Sequence, residues 1–479
     1  MYPGAEFDEI TQGLLLPADY TNPVPKAKYH LVVIGAGPAG LISAIGAAGL
    51  GANVALIERH RMGGDCLNVG CVPSKCLLEY SKVHPGDFDG AFRHLRKVRA
   101  GIAPHDSVER YSEAGVDVFL GEASFDDAGQ LVCDGQAIQA RRIVLCTGAR
   151  ADIPPIPGLR EADPLTNETV FDLTQQPESI GILGAGAIGC ELAQAFSRLG
   201  VQVHLYEMAP QVLPLEASFA STAVAQALEQ AGVQLHLGAG VNEVTALADG
   251  FNITAGDETH QVDKVMVALG RRPNTESLNL SQVNVQMDER GFIQTDNKLR
   301  TTNKAIYAAG DCTARLQFTH HADAQARAVI QNTLFAPTAK VDGLVVPHCT
   351  YTKPEVASVG ESPQSLTTNQ VAFDEFSIEF TELDRGRAEL DGQGQATVYV
   401  AKGTDKILGA CIVGHDAGEQ IAGLCILMSN GLGLSALGST LFSYPTRSEF
   451  LKRLSDAYNR TRLTPRAAGM LKRWFKFTA

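Results

Sequence analysis

Cysteine is scarce and scattered in this chain: ten in 479 residues, at positions 66, 71, 76, 133, 146, 190, 312, 349, 411 and 425. That usage excludes a small secreted scaffold held by stapled loops, so any disulfide is read as chemical rather than structural. Basic charge is also in deficit. Forty Lys and Arg face 53 Asp and Glu, a formal charge of −13, which argues against nucleic acid as a general partner. Met1 to Lys28 has no apolar core ending in a small-residue cleavage site, so no signal peptide is expected and the chain reads as cytoplasmic. Apolar residues at 45% and charged residues at 19% exclude a disordered or collagen-like chain. The length suits about three domains at roughly 150 residues each.

The longest uncharged stretch runs for 27 residues, Leu31 to Ile57, long enough to suggest a membrane span. Six glycines and Pro38 interrupt it, and it reads instead as strand, glycine turn, helix and strand. Gly35, Gly37 and Gly40 form G-x-G-x-x-G, whose backbone approaches a pyrophosphate at a helix N-terminus, and Glu58 follows at the position that binds ribose hydroxyls. The pattern recurs with Gly184, Gly186, Gly189 and Glu207. Both acids lie 23 positions after the first glycine of their motif, which predicts two dinucleotide-binding domains. The segments Ile143–Ala149, with Thr147 and Gly148, and Val265–Arg271, with Gly270, each read as a strand entering a glycine turn that closes one of these domains. In Ile306–Asp311, Asp311 follows a strand and a glycine, where it suits the polyol of a flavin.

Cys66 and Cys71 stand four residues apart in Gly63-Gly64-Asp65-Cys66-Leu67-Asn68-Val69-Gly70-Cys71-Val72-Pro73-Ser74-Lys75. Two thiols at a glycine turn that opens a helix suit an exchangeable disulfide and reversible two-electron transfer. Lys75, one helical turn beyond Cys71, can bias a thiolate. This stretch closely resembles the redox centre of the class I pyridine nucleotide-disulfide oxidoreductases, a family that includes dihydrolipoyl dehydrogenase, glutathione reductase and mercuric reductase. The order of segments resembles that family from about Tyr29 onward, and the mercuric-reductase-like members look nearest.

The resemblance implies an α/β, glutathione-reductase-like fold with two Rossmann-like domains and a C-terminal α/β dimerisation domain. The expected layout is an N-terminal extension (1–28), an FAD domain (29–150 and 270–345), an NAD(P) domain (151–269), a dimerisation domain (346–459) and a basic tail (460–479). The implied cofactors are FAD and NAD, with NADP possible. NADH is favoured because Glu207 should repel a 2′-phosphate and no arginine follows it. The resemblance makes Cys71 the thiolate against the flavin and Cys66 the thiol that meets substrate, pairs Lys75 with Glu191, and sets Phe318, Thr319 and His320 in the flavin site. A homodimer is implied, in which Tyr444 and Glu449 complete the site across the interface.

Two departures stand out. Where disulfide reductases of the family carry a histidine, this chain has Tyr444 in Tyr444-Pro445-Thr446-Arg447-Ser448-Glu449, and a phenol is a poor proton shuttle at neutral pH. Mercuric reductases also resemble the chain in that tyrosine, but their paired C-terminal cysteine is missing here: the last cysteine is Cys425. No metal ligands are expected. His320 and His321 are adjacent and read as flavin-domain packing, and Cys76 as a small core residue. The tail holds six basic residues from Arg460 to Lys476, no acid, and interleaved Met470, Leu471, Trp474, Phe475 and Phe477. It is a candidate for peripheral membrane contact.

The expected function is an FAD-dependent oxidoreductase passing electrons from NADH through a Cys66–Cys71 disulfide to a small-molecule or thiol/disulfide acceptor. The alternatives are a mercuric or other soft-metal ion reductase and a membrane-docked redox sensor.

Overall fold

The computed structural model describes residues 2–313, 316–390 and 392–478. It divides into two compact units, Met1–Met208 with Ala231–Gly343, and Ala209–Gln230 with Leu344–Ala479.

The first unit opens with a helix, Ala5–Leu15, inside the N-terminal extension. Its anchor is electrostatic. Asp8 accepts from Arg96 Nε at 3.0 Å and Arg99 Nη2 at 2.5 Å, two guanidiniums that are only 1% exposed. Both arginines come from the helix Phe88–Ile102. Arg96 also donates to the carbonyls of Pro3 and Leu173, and Arg99 to that of Asn68. Leu15 is fully buried beside the strands.

Five parallel strands follow in the spatial order Ile306–Ala308, Ala140–Leu145, Tyr29–Ile34, Val54–Glu58, Val116–Leu120. Leu31, Val33, Leu56 and Val144 pack into one core, while Val32, Ile34, Ala55 and Leu145 pack into another. A sheet with apolar side chains on both faces accounts for the uncharged run at Leu31–Ile57. A second parallel sheet has the order Gln234–Leu237, Gln202–Glu207, Ser179–Leu183, Lys264–Val267. Beside it lies an antiparallel sheet of Val241–Ala246, Phe251–Ala255 and Glu258–Val262, and Leu183, Tyr206, Ile253 and Val262 share a core.

The second unit is built on a five-stranded antiparallel sheet: Pro347–Thr350, Glu355–Gly360, Ile407–Gly414, Gly394–Ala401, Phe373–Glu379. Residues of the helices Ala422–Ser429 and Glu449–Thr461 pack against it. The helix Ser218–Gln230, inside the expected NAD(P) segment, groups with this unit. Glu216 just before it accepts from His348 at 2.7 Å and Ser358 at 2.6 Å, and these bonds hold its carboxyl below the usual range against the effect of burial.

The tail folds into the helix Pro465–Thr478, which buries no residue. At about 100° per residue, Met470, Leu471, Trp474, Phe475 and Phe477 fall on one side and Arg466, Lys472, Arg473 and Lys476 on the other. Among the described residues, no helix is long and apolar enough to cross a membrane.

Candidate functional site

The two glycine motifs adopt the same local geometry. Gly35 has φ +102° and Gly184 φ +105°, a left-handed region where a side chain is strained. A Cβ on Gly40 would run into the carbonyl of Gly35, and one on Gly189 into that of Gly184, so both helices start hard against their turns. Gly37 and Gly186 are extended at the helix N-caps. Beyond Gly186 no atom lies within 4 Å of where a Cβ would sit, and beside Gly37 the nearest is Gly64 Cα at 3.8 Å. That space, at a helix N-terminus, fits a pyrophosphate. The acids match too: Glu58 accepts from the Ala36 N–H at 2.6 Å and Glu207 from the Ala185 N–H at 3.0 Å. Burial pushes the Glu58 carboxyl up, while the Ala36 and His60 N–H groups oppose the shift.

The cysteine segment lies against the first motif through Gly64, which faces Gly37. Cys66 falls in the short helix Gly64–Asn68, and Cys71 opens the helix Cys71–Val83, with Gly70 as N-cap and Pro73 in its first turn. Both are free thiols. A hydrogen bond from Cys66 is the main influence holding the Cys71 thiol down at about 6, helped by the Lys75 ammonium and the Thr319 hydroxyl, against burial. Cys66 moves the opposite way, raised by its hydrogen bond to Cys71 and by burial. The two shifts run in opposite directions, which favours the proton on Cys66 and the negative charge on Cys71. Lys75 Nζ meets the buried Glu191 at 2.7 Å, so the charge beside the thiolate is fixed in place. Burial pushes Cys76 up to about 11, which suits a packing role.

Further residues close around this centre. Asp311 is raised by burial, with the Arg271 guanidinium opposing. Arg271 also pairs with Asp65, next to Cys66. Thr147 and Gly148 form the turn after Ala140–Leu145, and Asn274 donates to the Thr147 carbonyl at 3.0 Å. Phe318 caps the helix Thr319–Leu334, its ring stacked on His320 with centroids 5.5 Å apart. His321 is buried and bonded to the Leu316 carbonyl, in keeping with packing. Gly270, at φ +127°, precedes Arg271.

Arg271, Asp65 and Asn274 were not foreseen from the sequence. The Gly270-Arg271-Arg272-Pro273-Asn274 run that carries two of them was visible only as a strand ending in a glycine turn. Nor was the path from Asp8 through Arg99 to the Asn68 carbonyl, which ties the N-terminal helix to the cysteine segment.

In the second unit, Tyr444 is 70% exposed and donates to Asp384 at 2.6 Å, a bond that raises its phenol above the ordinary range. Glu449 Oε1 accepts from Arg453, while Oε2 is buried without a hydrogen-bond partner among the described residues. Tyr444 is thus bonded to Asp384 rather than to Glu449.

Two glycine turns in register, each with its acid, and a polarised cysteine pair set against the first of them define a two-dinucleotide-domain flavoprotein with a redox dithiol. Residues 29–326 match the pyridine nucleotide-disulphide oxidoreductase family and residues 346–455 match its dimerisation domain; the chain belongs to this family. It is 31% identical over 444 residues to a mercuric reductase of Staphylococcus aureus, covering 88% of this chain and 81% of that protein. A dihydrolipoyl dehydrogenase of Chlamydia trachomatis is 32% identical over 441 residues, covering 88% and 95%. Among solved structures, the Cu(II) complex of the HOCl-induced flavoprotein disulfide reductase RclA from Escherichia coli superposes with a TM-score of 0.82 at 30% identity, covering 88% of this chain and 99% of that one. The fold is accordingly the glutathione-reductase-like α/β architecture with a C-terminal dimerisation domain. The family is FAD-dependent and uses a pyridine nucleotide, and the glycine cradle at Gly35–Gly40 fits the first of these groups.

Proposed function

We propose that this chain carries two electrons from NADH to the Cys66–Cys71 pair and from there to a separate acceptor. The observation that carries the reading is the placement of the two thiols: Cys66 in the short helix whose Gly64 lies against the first glycine motif, and Cys71 opening the next helix, 4.0 Å from Thr319 Oγ1 and one turn before the Lys75–Glu191 ion pair. Gly184, Gly186, Gly189, Glu207 and Gly270 would hold NADH. Gly35, Gly37, Gly40, Glu58, Thr147, Gly148, Asp311, Phe318, Thr319 and His320 would hold FAD, which supplies the two-electron relay between nicotinamide and sulfur. In the balance of the reductive half, a hydride leaves NADH, its two electrons break the S–S bond, its proton ends on Cys66 and Cys71 is left as thiolate. With a disulfide acceptor, Cys66 loses its proton and attacks, one acceptor sulfur leaves as a thiol, and Cys71 closes the bond to release the second. Lys75 steadies the Cys71 thiolate, and Glu191 keeps Lys75 in place.

Steady-state NADH consumption by the FAD-loaded protein, with disulfides, soft metal ions and quinones as acceptors, tests this. Acceptor-dependent turnover should vanish in Cys66→Ser, and kcat/KM should favour NADH over NADPH because Glu207 bonds a 2′-hydroxyl and repels a 2′-phosphate. Full turnover in Cys66→Ser would route electrons past the thiols, and equal kcat/KM for the two cofactors would remove Glu207 from the selection. The dimerisation domain supports a homodimer with Tyr444 and Glu449 at the second site, and a free dithiol fed by NADH suits the reducing cytoplasm.

A second reading, a soft or borderline metal ion as acceptor, is favoured by Tyr444 in place of a histidine. The mercuric reductase relatives and the Cu(II) complex of RclA support it. The exposed, two-faced helix Pro465–Thr478 supports a contact with an anionic membrane surface. Flotation with anionic but not neutral vesicles, lost in Trp474→Ala/Phe475→Ala, is the expected result; equal recovery with both vesicle types would contradict it.

A further inference from the structure

Three histidines that the redox chemistry does not use converge at one place in the first unit. His204 lies on Gln202–Glu207, His236 on the neighbouring Gln234–Leu237, and His260 on Glu258–Val262 of the adjoining antiparallel sheet. One ring nitrogen from each lies within 4.8 Å of one from both others. The rings are packed together: centroid separations are 4.3 Å for His236 and His260, 4.9 Å for His204 and His260, and 5.3 Å for His204 and His236. His204 Nδ1 and His236 Nε2 are 3.1 Å apart.

We infer that His204, His236 and His260 form a binding site for a divalent transition cation of the class that imidazole favours, such as Zn²⁺ or Cu²⁺. Two nitrogens on one tetrahedral ion with bonds of about 2.0–2.1 Å stand roughly 3.4 Å apart, so His204 Nδ1 and His236 Nε2, at 3.1 Å, need to separate only slightly to share one. The remaining nitrogens have partners of the kind that orient metal-bound imidazoles. His204 Nε2 is 3.4 Å from the Gln202 side-chain amide. Glu258 Oε2 lies 3.8 Å from both His236 Nδ1 and His260 Nε2. That leaves His260 Nδ1, which is buried with no hydrogen-bond partner among the described residues, as the third donor. A buried polar atom without a partner is costly, and a cation satisfies it. Side-chain exposures of 13% at His236 and 23% at His260 leave an entry path on that side, while His204 is buried.

The site joins strands of two sheets, so its physical consequence is a cross-link within the nucleotide domain rather than a step in electron transfer. It stands independently of the proposed reaction.

The test uses oxidised, FAD-loaded protein stripped with a chelator. Equilibrium dialysis should show one tight equivalent of Zn²⁺, and Zn²⁺ should raise the melting temperature. His236→Gln and His260→Gln should each weaken binding at least about tenfold and abolish that rise, and Glu258→Gln should weaken it about 10- to 100-fold. With Cu²⁺ as probe, the electron paramagnetic resonance spectrum should carry imidazole nitrogen couplings, lost in the histidine variants and kept in Cys66→Ser. Absence of binding by the wild-type protein, unchanged affinity in both histidine variants, or a spectrum that responds to Cys66→Ser instead would overturn the assignment. Melting of each variant without metal reports folding. If His236→Gln fails to fold, the more exposed His260→Gln decides.

Discussion

Tyr444→His raises the turnover of lipoamide or glutathione disulfide by about 10²–10⁴, the range that a positioned acid–base group contributes. Disulfide exchange releases a thiolate that must be protonated, and an imidazole titrates near neutral pH while a phenol does not. The structure sharpens the contrast. Tyr444 donates to Asp384, which raises the phenol further and makes it a still poorer shuttle. Glu449 keeps an oxygen, Oε2, buried and without a partner among the described residues, and that oxygen is available to fix the orientation of an introduced imidazole. Steady-state rates of the wild type and Tyr444→His with both disulfides check this. Brisk wild-type turnover unchanged by the substitution would show that the proton comes from elsewhere.

Asp8→Ala destabilises the first unit by about 3 kcal/mol, the lower end of the cost of breaking a buried ion pair, since Asp8 itself is 23% exposed. The loss is large because one carboxylate serves two guanidiniums that have almost no access to water. Arg96 would keep only its bonds to the Pro3 and Leu173 carbonyls, and Arg99 its bond to Asn68 and a longer contact to Asp172 at 3.8 Å, so both would lose their 2.5–3.0 Å contact to a negative charge. Denaturant unfolding and limited proteolysis of the Ala5–Leu15 segment read the effect. An unchanged midpoint would mean that this helix does not anchor the unit.

The parts of the site legible in the sequence are those whose chemistry is local. Gly35 to Glu58 and Gly184 to Glu207 keep one spacing because a strand, a turn and a helix of set length separate them, and the structure gives both acids the same backbone partner. Cys71 and Lys75 share a helical turn. The pairing of Lys75 with Glu191, implied by resemblance, appears at 2.7 Å. What stayed hidden depends on contacts between distant segments. Arg271 reaches Asp65 across 206 positions, and Asp8 reaches Arg99 across 91, with no periodicity to announce either. His204, His236 and His260 each sit on a different strand, where a lone histidine carries no signal until the strands are placed side by side. The Ser218–Gln230 helix looks like part of its own nucleotide unit in sequence, yet Glu216 bonds to His348 and Ser358.

The central claim is that Cys71 is the thiolate set against the flavin in the two-electron-reduced enzyme. Its most direct measurement is the absorption spectrum of the FAD-loaded protein under anaerobic titration with NADH. The account predicts a long-wavelength thiolate-to-flavin band at one equivalent, present at neutral pH and fading as the pH falls through about 6, where the Cys71 thiolate is protonated. Cys71→Ser should abolish the band, whereas Cys66→Ser leaves that thiolate in place. A band that persists in Cys71→Ser would contradict the assignment.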